Sequence, residues 1–280
     1  MAVPTNFGGN GLQGLGGASS GVAQGIRDVS TTEQGPIGAT LIDASDGSVY
    51  RYAYFKGAVG PGKLAAMDAS AAIQTSFDAA FVDSAGSAKD DYAVGDTLIY
   101  VKSSDITSDD VENIWAGGYL YVTDAAGEGH KYKIRSHEAG AATTANVMGI
   151  EIFDGLTIAL DSESSAAITG HPYNNLVIAN AGTDDPLRGV TLVDVAAAEY
   201  AWVQTWGPGI VLADESAGTI AAGTIAVLSD GVDGAAAPMG QGSPNSEENL
   251  TDLVTEPQCG EFVMAAVNGE YVPLDIKINR

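Results

Sequence analysis

The sequence predicts a mainly β protein, with two β-sandwich or barrel-like domains behind a flexible, glycine-rich N-terminal arm. Three observations predict this fold class. Short apolar runs recur from residue 39 onward, glycine-containing turns separate them, and patterns with the period of a helix are few. Many short strands with so little helix are typical of sandwiches and barrels. The 280 residues leave room for two domains, at roughly 150 residues each.

Residues 1–38 are predicted to form the arm. Its opening stretch is so rich in glycine that neither a strand period nor a helix period survives. An arm of this kind can become ordered against a partner. We expect Phe7, Leu12 and Leu15 to insert between apolar patches of neighbouring subunits. We also expect deletion of residues 1–30 to leave the domains folded.

Residues 39–185 are predicted to form the first β-rich domain. It opens with a hairpin, because Asp46–Gly47 is a turn dipeptide between two apolar runs. A helix of two or three turns is predicted within Gly62–Ala72. Further strands are predicted within 96–104, 118–136, 147–153 and 156–160.

Residues 186–280 are predicted to form the second β-rich domain. A polar, proline-containing stretch at Thr183–Leu187 marks the expected boundary. The final run alternates strictly, so one of its faces is expected to be buried. Its apolar positions are Val272, Leu274, Ile276 and Ile278. Strands are predicted within 198–214, 222–231, 260–270 and 271–279.

An aromatic stretch in the second domain offers two interpretations. A regular strand would place Tyr200, Trp202 and Trp206 on one face. Aromatic residues at this density fill a core, or they form a subunit contact or a sugar-binding platform. We expect Trp202 and Trp206 to be the next candidates, after the arm, for a contact with capsid or with another subunit.

The charge balance excludes several classes of partner. Thirty-six acidic and twelve basic residues give a net charge of −24, which repels nucleic acid and anionic membrane surfaces. No apolar stretch approaches the roughly 20 residues that span a bilayer, and the N-terminus lacks the pattern of a secretion signal. We therefore expect neither a nucleic-acid partner nor a membrane partner.

Motifs that could carry chemistry are weak. Gly57–Lys63 has the GxxxxGK spacing of a phosphate-binding loop, but Leu64 replaces the hydroxyl residue that would hold Mg²⁺, so a turn after a strand is predicted. His130 and His137 would face opposite sides of a regular strand and could not share a metal. No catalytic residue, metal site or cofactor is therefore predicted.

Two smaller features have structural interpretations. Cys259 is the single cysteine and is expected to be a small buried apolar residue. Paired acids at Asp90–Asp91, Asp109–Asp110 and Asp184–Asp185 are expected to be solvated in turns, with an oxygen-ligated divalent cation as the alternative.

Several phrases together resemble the structural proteins of tailed bacteriophages, in particular the decoration or cement proteins of phage heads. They are VYRYAYFKGAVGPGKLAA (49–66), GGYLYVTDAAGEGHKYKIRS (117–136), EYAWVQTWGPGIVLAD (199–214), AAGTIAVLSDG (221–231) and YVPLDIKI (271–278). The resemblance implies a non-enzymatic, β-rich protein on the capsid exterior of the virion. Its implied partners are the major capsid protein and further copies of itself, most often as a trimer that bridges capsomers.

Four other functions stay open at this point. A carbohydrate-binding head fibre would use exposed aromatic rings, and a hydrolase would use an acidic pair or the histidines. A tail-tube or baseplate subunit would share the same composition. A major capsid protein is less favoured, because no uninterrupted pattern supplies a long amphipathic helix.

Overall fold

The computed structural model describes residues 21–68, 73–87, 89, 92–103, 106, 112–139, 146–181, 186–215, 218–239 and 257–278. Within these residues the regular secondary structure consists of sixteen β-strands, without a helix. The mainly β prediction is therefore confirmed, and closed, barrel-like arrangements of strands are present.

The chain forms two compact units. One comprises Met1–Asp68 together with Asn175–Arg280, and the other comprises Ala69–Asn174. The strands in chain order are β1 (Thr40–Ile42), β2 (Val49–Phe55), β3 (Leu64–Met67), β4 (Ile73–Val82), β5 (Leu98–Lys102), β6 (Tyr119–Asp124), β7 (Lys131–His137), β8 (Val147–Ile152), β9 (Ser165–Thr169), β10 (Leu176–Ile178), β11 (Leu187–Thr191), β12 (Glu199–Leu212), β13 (Ile225–Leu228), β14 (Ala236–Pro238), β15 (Gln258–Phe262) and β16 (Tyr271–Lys277).

The first unit contains a ten-stranded sheet in the order β1-β2-β10-β3-β11-β12-β16-β15-β13-β14. An additional pairing of β2 with β12 closes the strands from β2 to β12 of this order into a ring of five. The second half of β12 pairs with β16 and so begins the rest of the sheet. β12 is therefore shared by the two parts of the unit.

Two apolar cores hold the first unit together. One contains Val22, Leu41, Tyr50, Tyr52 and Trp202. The other is built largely from aliphatic residues on both parts of the sheet, among them Leu64, Val211, Phe262, Leu274 and Ile276. The alternation predicted for the last strand is confirmed, because Val272, Leu274 and Ile276 are buried.

A β-bulge divides β12 into two halves. Alternate side chains that face one side of the sheet in the first half face the other side in the second half. Gln204 lies opposite Tyr50, and Trp206 lies opposite Val49, so Thr205 is an extra residue in this strand. A one-residue shift of register turns every following side chain to the other face of the sheet. The buried Gln204 amide supports the bulge, since its Nε2 donates to the carbonyls of Trp206 (3.2 Å) and Pro208 (2.9 Å).

The segment before β1 packs onto the first unit. The indole Nε1 of Trp202 donates to the carbonyl of Gln24 (3.0 Å), and the hydroxyl of Tyr52 donates to Oε1 of Gln24 (2.8 Å). Ser30 forms a β-bridge with Tyr200. Residues 21–38 therefore belong to the folded unit, which corrects the predicted arm of residues 1–38. The glycine-rich sequence showed no sign of this packing, because the packing depends on contacts of single residues rather than on a periodic pattern of apolar residues.

The second unit is a closed antiparallel barrel of six strands in the order β4-β5-β8-β7-β6-β9. Strands β6 to β8 are consecutive hairpins and β9 returns beside β6, which is a Greek-key arrangement. The interior is filled by large apolar side chains, among them Trp115, Ile99, Leu120, Ile134 and Ile150.

The units do not divide where the sequence suggested. A boundary at 185/186 was predicted, with domains 39–185 and 186–280, but residues 69–174 form the second unit and the chain then returns to the first. Leu176 pairs with Phe55 of β2 and with Met67 of β3, and both of these strands precede the second unit in the chain. A turn-rich stretch looks the same whether it joins two domains or two strands of one domain, so composition alone could not locate the boundary.

Two local predictions were also wrong. The segment predicted to be helical within Gly62–Ala72 contains β3, whose four residues are all buried. Small apolar residues satisfy either periodicity, so the surrounding sheet decides their conformation. The run 156–160 forms only an isolated bridge between Leu160 and Tyr92.

The second unit should be separable from the first. The amide of Asp68 donates to the carbonyl of Asn175 (3.1 Å), so the two chain ends that flank the second unit are adjacent in the first unit. We expect a chain in which a short glycine-rich linker replaces residues 69–174 to fold, as judged by circular dichroism and a cooperative thermal transition. Residues 69–174 alone should fold as well, and an unfolded product from either chain would contradict this division.

Two truncations should differ in stability. Removal of residues 1–20 should lower the unfolding midpoint of the first unit less than removal of residues 1–30, because the packed segment that includes Gln24 is retained. Removal of residues 1–30 should cost on the order of 3 kcal/mol, because it leaves the buried Trp202 and Tyr52 donors without acceptors. Denaturant unfolding followed by tryptophan fluorescence measures both, and equal midpoints would contradict the assigned role of Gln24.

Candidate interaction surface

The second half of β12 places small residues inside and large apolar residues outside. Gly207, Gly209 and Val211 lie opposite the buried Ile276, Leu274 and Val272 of β16. The outward residues are Trp206, Pro208, Ile210 and Leu212. A Cβ at position 209 would collide with the buried side chain of Ile276, so a residue larger than glycine would force that side chain to shift. This arrangement leaves large apolar side chains on the outside of the sheet.

Three exposed apolar residues lie side by side on this face. Ile210 of β12 pairs with Pro273 of β16, and the amide of Val263 donates to the carbonyl of Pro273 (3.1 Å). Ile210 is 52% exposed and Val263 is 57% exposed, and Pro273 is exposed as well. We call Ile210, Pro273 and Val263 the apolar row. Contiguous apolar groups on a surface mark sites of interaction with proteins, ligands or membranes.

Further apolar and charged side chains flank the apolar row. Tyr271 lies opposite Leu212 and is 47% exposed. At the other end of the face, Nζ of Lys277 contacts carboxylate oxygens of Asp275 (3.1 Å) and Glu261 (3.2 Å). The hydrogen bond to Asp275, followed by the one to Glu261, raises the pKa of Lys277. The charges at this end therefore bind one another, and the apolar row is left as the contact-forming part of the face.

A groove of about 640 Å³ adjoins the apolar row. Ile210 and Tyr271 line one part of it, and Pro61 and Gly62 line another. Polar groups are supplied by side chains that include Arg27, Asp46 and Gln204. A concave site beside an exposed apolar row suits a partner that inserts a side chain while it covers the row.

The structure separates the two tryptophans that were predicted to share a face. Trp202 has no exposed surface and packs edge-on against Tyr52, with ring centroids 5.4 Å apart. This corrects its assignment to a contact with capsid or another subunit, because its whole side chain serves the core. Trp206 follows the bulge and lies half-buried on the outward face. Phe7, Leu12 and Leu15 lie outside the described residues.

The histidines are held by local hydrogen bonds. His137 is buried, its Nε2 accepts from the amide of Trp115 (2.9 Å), and its Nδ1 lies 2.7 Å from the carbonyl of Glu138. His130 is exposed in the turn before β7, with its Nδ1 2.9 Å from the carbonyl of Gly127. The Nδ1 of His171 accepts from the amide of Tyr173 (3.2 Å). Each ring is thus oriented by its own neighbourhood.

The remaining candidates from the sequence are Cys259, the Gly57–Lys63 segment and the paired acids. Burial raises the pKa of the Cys259 thiol to about 12. Lys63 follows a turn and leads directly into β3 rather than into a helix, so the phosphate-loop geometry is not formed. The described part of the chain contains no group of three or more His, Cys, Asp or Glu side chains placed to hold a metal. The paired acids at 90–91, 109–110 and 184–185 lie outside the described residues.

Sequence reasoning missed the apolar row. It did not single out Ile210, Pro273 or Val263 as residues of a contact. The available signal was the stretch from Trp206 to Leu212, where glycines at 207 and 209 alternate with large apolar residues. Glycine at alternate strand positions indicates that another side chain occupies the space above the backbone.

No helix of the described residues is long and apolar enough to cross a bilayer. Comparison of the chain with protein-family models, with curated proteins and with solved structures finds no match.

Proposed function

We propose that this protein is a non-enzymatic structural subunit of a tailed-bacteriophage virion. It acts as a decoration or cement protein that binds the outer surface of the head and stabilises contacts between capsomers. The observation that carries the proposal is the apolar row of Ile210, Pro273 and Val263. A partner that covers this row removes apolar surface from water, which stabilises the complex by about 25 cal/mol for each Å² of apolar surface buried.

The net charge of the chain supports a position on the exterior of the shell. A protein with a net charge of −24 is repelled by packaged DNA, so the free energy of placing it inside the head is unfavourable. The same charge adds a long-range repulsion between copies of the chain. Attachment must therefore come from local contacts, and the apolar row supplies a contact of this kind.

The partners follow from this placement. The apolar row and its groove contact the major capsid protein, and copies of the chain associate with one another, with a trimer as the expected state. Residues 1–20 contain Phe7, Leu12 and Leu15, which add affinity by inserting between apolar patches of neighbouring subunits. Trp206 lies on the outward face of β12 and is the aromatic residue assigned to this contact.

Electron cryo-microscopy of purified virions tests the proposal. Particles that carry the chain should show additional density on the outer surface of the head, and particles that lack it should not. Antibody labelling gives an independent location. Density on the tail or baseplate, or particles without the protein, would contradict a decoration role.

A single substitution should weaken attachment. Ile210→Asp places a carboxylate in the apolar row, and we expect shell occupancy to fall by about tenfold or more, because burial of a large aliphatic side chain contributes about 1.5–3 kcal/mol. Ile42→Asp is the matched control, since Ile42 is also an exposed isoleucine of the first unit (46% exposed) but belongs to β1. Occupancy is measured by co-sedimentation with shells that lack the native protein. Equal losses in the two variants would contradict the assignment of the apolar row.

A further inference from the structure

The barrel carries a row of basic side chains on one strand. Lys131, Lys133 and Arg135 occupy alternate positions of β7, and all three are exposed. Residues 69–174 contain five basic and sixteen acidic residues, so this strand gathers three of the five cations. We call Lys131, Lys133 and Arg135 the cationic row. Such a concentration of positive charge on so acidic a barrel is a local feature that net charge conceals.

Two aromatic rings support the cationic row, Tyr119 on β6 and Phe153 directly after β8. Nζ of Lys131 lies 5.3 Å from the ring centroid of Tyr119. The ring of Phe153 faces two cations, with Nζ of Lys133 at 5.6 Å and Cζ of Arg135 at 5.2 Å from its centroid. These distances are within the range of cation–π attraction. The rings therefore restrict the positions of the three cations, so these side chains lose less conformational entropy when a ligand binds.

The cations differ in how far they are neutralised. Arg135 pairs with Glu151, with Nη1 3.1 Å from Oε1. Lys131 and Lys133 have no carboxylate within ion-pair distance among the described residues. Two ordered ammonium groups are thus available to an external anion, although acids outnumber bases throughout the barrel.

We propose that the cationic row is a binding site for an extended, carboxylate-bearing segment of a partner protein. Side chains two positions apart on a strand are about 7 Å apart, so an extended segment with acids at alternate positions matches the spacing of the row. Each carboxylate accepts hydrogen bonds from one ordered cation. The site lies on a different unit from the apolar row and does not depend on the proposed decoration role.

Two features favour a protein segment over a single-stranded nucleic acid. Bases bind such platforms by stacking on exposed aromatic faces, but here lysine and arginine already lie over the Tyr119 and Phe153 rings. Nucleic acid also presents a dense line of phosphates to a protein of net charge −24, and three cations release few counterions. A short acidic segment requires neither stacking nor a long basic track.

Fluorescence anisotropy with the full-length protein tests this inference. The probes are a labelled peptide of alternating Glu and Thr and an oligothymidylate of matched length, each at low and at high salt. We expect the peptide to bind at low salt and to be released at high salt. Lys131→Gln with Lys133→Gln should weaken peptide binding by about tenfold, as expected for the loss of two charge-assisted contacts.

The matched control replaces Lys89 and Lys102, the two remaining lysines of the barrel, with glutamine. It removes the same charge but leaves the cationic row intact, so peptide affinity should change by less than about twofold. Unfolding curves show that both variants retain the barrel. Absence of peptide binding, equal losses in both variants, or stronger binding of the oligothymidylate through Lys131 and Lys133 would each overturn the inference.

Discussion

The register shift at Thr205 is the constraint on which the first unit depends. β12 pairs with β2 as far as Trp206 and with β16 from Trp206 onward, so one strand must serve a closed ring and an open sheet. The bulge lets the strand bury Trp202 in one core and then turn Val211 toward the other. Without the extra residue, one half of the strand would present its apolar side chains to the wrong layer. The buried Gln204 amide binds the carbonyls of Trp206 and Pro208, which limits the cost of the irregular backbone.

The exposed face of β12 follows from the same constraint. After the bulge, a Cβ at position 207 would crowd Ser48, and one at position 209 would crowd the buried side chain of Ile276. The inner positions of this half of the strand therefore contribute little apolar area. Its large residues point outward, and Pro208 and Ile210 stay exposed there. Apolar groups that a fold does not use are retained at a cost in solubility, which is consistent with a partner that covers them.

The sequence predicted what depends on local pattern and missed what depends on distant contacts. The hairpin at Asp46–Gly47, the strand pair around 118–136 and the alternation of β16 all follow from periodicity and turn chemistry, and the structure confirms them. The insertion of residues 69–174 could not be inferred, because it is defined by contacts between strands far apart in the chain. The bulge was also hidden, since a regular period assumes that no residue is extra, and this assumption placed Trp202 and Trp206 on one face.

Net charge alone is a poor guide to where this protein binds. At physiological ionic strength, charges more than about 8 Å apart are largely screened, so the overall charge of −24 governs approach while close contacts govern attachment. In both units, the side chains suited to close contact lie at outward positions of central strands, with Ile210 on β12 and Lys133 on β7. Inward positions are fixed by the cores and cannot be adapted to a partner without loss of stability. In an all-β protein of this kind, we therefore expect recognition to use the outward-facing residues of each strand, because these residues can change without disturbing the fold.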